Sequence, residues 1–186
     1  MTMTQTATVT PLDATTHAQS ILDGLATSVH DLLTVTTLPV HAYRFSAQGQ
    51  SSIGAHVRHV LEFLQVLADQ LADGVIDYES RAHNAAYESD PAIVAHILPQ
   101  LHQTLANALE THGAYYPLLL RETVAVGGEK IPFTTSLGRE ILFMVQHVVH
   151  HLAIIRMQAA ALNLAMDDDF GVAVATQVYQ REQSHG

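Results

Sequence analysis

Residues 136–164 read SLGREILFMVQHVVHHLAIIRMQAAALNL. Ser136 is a good helix cap and no proline interrupts the run, so the stretch predicts the longest helix of the chain. Within it, His147-Val-Val-His150-His151 sets His147 and His151 four residues apart. That spacing places both imidazoles on one face, one turn apart, which is how a helix offers two ligands to one ion. At about 100° per residue, Glu140, Phe143, Met144, Ile154 and Gln158 share this face. Two histidines in a mainly apolar stripe need a partner. A metal ion is one such partner; polar neighbours in a core or interface are another.

The preceding chain shows the same helical grain. Ile21, Leu22, Leu25, Val29, Leu32 and Leu33 predict a helix from about His17 to Leu38, closed by Pro39. After the AQGQSS stretch, Ser51 or Ser52 caps a second helix to about Ala72, with Val60, Phe63, Leu64, Leu67 and Leu71 on its apolar stripe. Residues 75–89 lack a period and read as a loop. Ser89-Asp90-Pro91 opens a third helix to about His112, with Pro99 expected to kink it and Gly113 to stop it. Residues 122–134 alternate about Gly127-Gly128 and predict a small hairpin or ordered loop before the last long helix. Asp167-Asp168-Asp169-Phe170-Gly171 begins a short tail. This pattern predicts an all-α, four-helix bundle. Residues 16–186 are expected to form one domain behind a polar, disordered leader at 1–15.

Composition narrows the function. The 186 residues are 48% hydrophobic and 14% charged, which suits a packed core rather than a disordered chain. Eighteen acidic residues against eight basic ones give a net charge of −10. That balance argues against nucleic-acid partners and against docking on anionic membranes. Without cysteine, the chain holds no disulfide, thiolate-bound zinc or cysteine nucleophile. No apolar run is long enough to span a membrane, and the first residues lack the features of a secretion signal, so the expected location is the cytoplasm. The thirteen histidines are roughly three times the average usage.

Two histidines do not complete a site, and the second helix supplies His56 and His59. His59 with His147 and His151 would bring three neutral imidazoles together and leave coordination positions open, as in catalytic centres. A cavity is then expected between the second and fourth helices, walled by Phe63, Val66, Phe143 and Met144. Glu140 is the candidate general base on the metal-bearing helix. Arg58 and Arg139 flank the histidine-bearing faces and are the candidates for binding a carboxylate of substrate or cosubstrate. His150 lies off the ligand face and is at most a neighbour of the ligands.

The stretch from Ser52 to Glu62 (SIGAHVRHVLE), followed by Gly138 to Ala153 (GREILFMVQHVVHHLA), resembles the DinB-like (DinB/YfiT) family. The resemblance runs from about residue 17 to 178. It implies a four-helix bundle, often a homodimer, that holds a divalent ion (zinc, nickel or iron) on one histidine of the second helix and the two of H-x-x-x-H. On this chain those are His59, His147 and His151, with His56 as rival for the first place. The implied activity is metal-dependent small-molecule chemistry, foremost S-transfer using a low-molecular-weight thiol cosubstrate. The alternative is a non-catalytic metal- or ligand-binding bundle of the stress response. Many members carry polar residues after the last ligand, where this chain has Leu152-Ala153-Ile154-Ile155.

Overall fold

The computed structural model describes residues 14–46 and 49–184. The leader expected at 1–15 lies outside these residues except for Ala14 and Thr15, with which the first helix begins. The protein is mostly helical: α1 (Ala14–Thr36), α2 (Val40–Tyr43), α3 (Ile53–Gln70), α4 (Ala85–Ser89), α5 (Pro91–His112), α6 (Leu137–Ala161) and α7 (Val174–Ser184). The four long helices pack in a ring in which α1 and α3 each lie against both α5 and α6. Their apolar stripes meet at Leu25, Leu32, Leu61, Leu64, Leu105, Ile141 and Leu152, all at most 1% exposed. α5 continues through Pro99. Among the described residues no helix is long and apolar enough to cross a membrane.

The all-α expectation holds for the body but misses a small sheet. β1 (Val75–Ile76), β2 (Pro117–Thr123) and β3 (Lys130–Ser136) form a sheet in the order β1-β2-β3, with β1 parallel to β2 and β2 antiparallel to β3. The hairpin is longer than the alternation at 122–134 suggests, because pairing starts at Pro117 opposite Ser136. The expected loop at 75–89 is also corrected: it holds β1, a 3₁₀ turn at Tyr78–Ser80 and α4. These pieces are too short to show a hydrophobic period. They form because Asp77 accepts from Glu79 N at 3.1 Å and Asn84 accepts from Ala86 N at 3.0 Å.

The tail is docked. Phe170 is 4% exposed and belongs to the hydrophobic core. Gly171 has φ +68°, and a Cβ there would meet Ala153 N at 2.6 Å and the Leu152 carbonyl carbon at 2.7 Å. The apolar Leu152-Ala153-Ile154-Ile155 run is therefore part of the seat for this tail: Leu152 and Ile155 are fully buried, and the backbone of Leu152 and Ala153 takes Gly171.

Gly171→Ala should lower stability by about 2 kcal/mol, from a left-handed backbone and a backbone clash together. Thermal denaturation should show a fall of roughly 5 °C for a chain of this size. An unchanged melting temperature would mean that the tail does not dock as described.

Candidate metal centre

Two helix faces build the centre. Ser52 caps α3, its Oγ accepting from Ala55 N at 3.0 Å, and this starts the turn that carries His56 and His59. Ser136 caps α6 in the same way, and α6 carries His147 and His151 one turn apart. Val57, Val60 and Leu64 on α3, and Met144, Val148 and Leu152 on α6, are buried. Packing of these two helices sets their histidine-bearing turns side by side.

Three Nε2 atoms converge. His147 Nε2 lies 3.2 Å from His59 Nε2 and 3.1 Å from His151 Nε2. The candidate ligand atoms of His59, His147 and His151 all fall within 4.8 Å of one another. Two nitrogens held at about 2.0–2.1 Å from one ion, at octahedral to tetrahedral angles, are about 2.9–3.4 Å apart. The two short separations fall in that range, so the donor set fits a small divalent ion. His56 occupies a different place: its Nδ1 is 3.0 Å from His151 Nδ1. It touches the far side of a triad member, which is where an outer partner of a ligating imidazole sits.

Each imidazole of the triad is half-buried and has its pKa held below the ordinary 6.5. His59 falls to about 4, through burial first and then the Arg81 guanidinium. His147 falls to about 4 through burial and then His59, and His151 to about 3 through burial and then His147. All three are neutral at pH 7, which is the form that ligates. Phe63 and Phe143 wall one side. The Phe63 ring lies 4.8 Å from His59 and 4.6 Å from His147, and Phe143 stacks on His147 at 5.5 Å and 18°.

The other candidates are placed differently. Glu140, expected as a general base, is 2% exposed, and both oxygens are engaged: Tyr78 Oη donates to one at 2.8 Å and Thr135 Oγ1 to the other at 2.6 Å. It ties β3 and the 3₁₀ turn to α6 rather than joining the three-histidine group. Arg58 is paired with Glu88 at 2.9 Å. Arg139 is exposed, with its guanidinium 5.6 Å from the centroid of Phe143. The expected walls Phe63, Val66, Phe143 and Met144 do not line the cavity that opens beside His56. That cavity has a volume of about 380 Å³ and is lined by Gln50, Ser51, His56, Ile154, Met157 and Gln158. The residues that periodicity misses are Arg81, whose Cζ is 4.4 Å from the Phe63 centroid, and the buried Glu62, which accepts from Asn84 N at 2.6 Å. Arg81 sits in an irregular segment where no spacing signal exists.

A family model described as the DinB superfamily matches residues 25–155, a span that includes every member of the triad. FK506-binding protein 5 of Rhizopus delemar is 27% identical over 114 residues, which are 59% of this chain and 28% of that protein. The chain thus spans less than a third of the curated relative it matches. No solved structure matches.

The depressed histidines make stability depend on pH. Between about pH 6.5 and 4 the unfolded chain binds protons that the folded triad does not. The stability of the metal-free protein is therefore complete above pH 6.5 and declines as pH falls toward 4. Melting curves across this window should drop more steeply for the wild type than for His151→Asn. Parallel slopes would mean that the imidazoles are not held neutral by the fold.

Proposed function

The chain belongs to the DinB superfamily, and from that membership and the three convergent imidazoles we propose a metal-dependent small-molecule enzyme, acting on a low-molecular-weight thiol in S-transfer. The observation that carries this reading is the placing of three neutral Nε2 atoms with no carboxylate or cysteine among them. The ring of long helices is, on this reading, the family's four-helix bundle. His59, His147 and His151 hold the ion, which is zinc, nickel or iron. Three neutral ligands leave its full charge in place, and a divalent ion so held supplies a Lewis acid that lowers the pKa of a thiol or water.

The chain's own residues have limited tasks. The triad orients the donor atoms. His56 holds the outer nitrogen of His151 and so selects which ring nitrogen faces inward. Phe63 and Phe143 exclude water from one flank, which strengthens the local field. Glu140 is spent on Tyr78 and Thr135, so it positions the segment beside the site and abstracts no proton. That suits a thiol, which gives up its proton without a neighbouring base once its pKa is lowered. The expected homodimer belongs to this reading, with the exposed Ile131 and Phe133 of the hairpin as the apolar surface it would cover.

Protein purified without a metal-affinity column should carry close to one equivalent of a transition metal, and His147→Ala almost none. A ligand present at a hundred times its Kd adds about 2.7 kcal/mol to stability. Chelation should therefore lower the wild-type melting temperature by roughly 5–10 °C and leave His147→Ala unmoved. Metal-free wild type, or equal responses to chelator, would remove the metal reading. With metal present, wild type should consume at least one of a panel of low-molecular-weight thiols, in the presence of a chromogenic electrophile, faster than His151→Ala. Bound metal with equal consumption would leave the non-catalytic stress-response bundle in place of the transferase.

A further inference from the structure

The surroundings of the triad have a sign opposite to that of the chain. The protein carries eighteen acidic and eight basic residues, yet the groups acting on His59, His147 and His151 are arginines and histidines, with no carboxylate among them. The permanently charged ones are Arg81 and Arg58. Arg58 is neutralised by Glu88. Arg81 has no carboxylate partner among the described residues. Its guanidinium lies over Phe63, the ring that touches both His59 and His147, and one terminal nitrogen donates to the Tyr78 carbonyl at 2.6 Å. Its Nε is buried and has no hydrogen-bond partner.

Two buried acids fix the segment that carries this arginine. On one side of it Tyr78 Oη donates to Glu140, and the Tyr78 ring stacks on Phe63 at 5.0 Å. On the other side Asn84 N donates to Glu62, 2% exposed. Between them His83 has φ +52°, a left-handed conformation uncommon for a non-glycine residue. The loop is thus pinned at both ends by carboxylates drawn from the core, and it brings beside the triad's Phe63 wall a guanidinium without a carboxylate partner, its Nε unpaired. Arginine's planar fork is matched to a carboxylate, which can take two parallel hydrogen bonds from a guanidinium.

We propose that Arg81 anchors a carboxylate of the small molecule bound at the three-histidine centre, which makes carboxylate-bearing compounds the substrate class. The proposal rests on the metal-site reading above. The carboxylate belongs either to the thiol or to its electrophile; the chemistry at Arg81 is the same. A cation on neutral ligands with a basic flank attracts anions despite the charge of −10, because the nearest charges dominate where solvent is partly excluded.

The test is calorimetric titration of zinc-loaded wild type, Arg81→Gln and Arg81→Lys with 3-mercaptopropionate, 2-mercaptoethanol and propionate. Zinc content is measured on each sample, and melting temperature serves as the folding control. Wild type should bind 3-mercaptopropionate at least tenfold more tightly than 2-mercaptoethanol. Arg81→Gln should lose that preference at unchanged zinc content, and Arg81→Lys should retain part of it. If wild type does not distinguish the thiols, propionate is titrated beside saturating 2-mercaptoethanol. Binding there that Arg81→Gln weakens tenfold assigns the carboxylate to the electrophile. Carboxylate binding that is absent from wild type, or equal in wild type and Arg81→Gln, overturns the proposal. Should wild type hold no zinc, the metal reading falls by itself; propionate binding to the metal-free protein, weakened in Arg81→Gln or not, then decides the Arg81 anchor separately.

Discussion

The arrangement depends on keeping three imidazole nitrogens within 4.8 Å of one another, two of the pairs at about 3 Å, half out of water and uncharged. Two like-charged imidazolium rings at that separation would repel strongly, so the site tolerates only neutral rings, and burial supplies that neutrality. Burial in turn requires that α3 and α6 pack closely at this level. Caps at Ser52 and Ser136 start the two helices, and Val57, Val60, Met144 and Val148 bring them together. The geometry of the three-histidine group is thus a consequence of helix packing around an apolar core.

The buried carboxylates follow the same logic. In an ordinary domain a buried acid is costly unless its oxygens are hydrogen-bonded. Glu140 meets that cost with two hydroxyl donors and Glu62 with a backbone amide. Their placement gives them a common task, since both hold the segment 78–84 against the helices. That segment brings Arg81 and Tyr78 to the Phe63 side of the triad. The acid that looks most like a catalytic base in the sequence is thus part of the frame. Three neutral imidazoles, the Arg81 guanidinium and an aromatic wall remain as the chemistry-bearing features.

Sequence alone carries far on this chain. The four long helices and their caps, at Ser51 or Ser52, Asp90 and Ser136, are legible because each has a strong periodic stripe and a side chain suited to its first turn, and the structure selects Ser52. The i, i+4 spacing of His147 and His151 guarantees a shared face in any α-helix. Family resemblance adds a helix-two histidine, with His56 and His59 as rivals. Local spacing is silent on the remaining points. Only the rotation of α3 against α6 decides that His59 Nε2 faces His147 while His56 reaches the far side of His151. Only the sheet and the 78–84 segment decide that Glu140 points to Tyr78 and that Arg81 comes beside the triad. The physical reason is range. Helix formation, capping and same-face spacing are set within a few residues of sequence. The partners of a buried acid or an irregular-loop arginine lie tens of residues away and are chosen by packing.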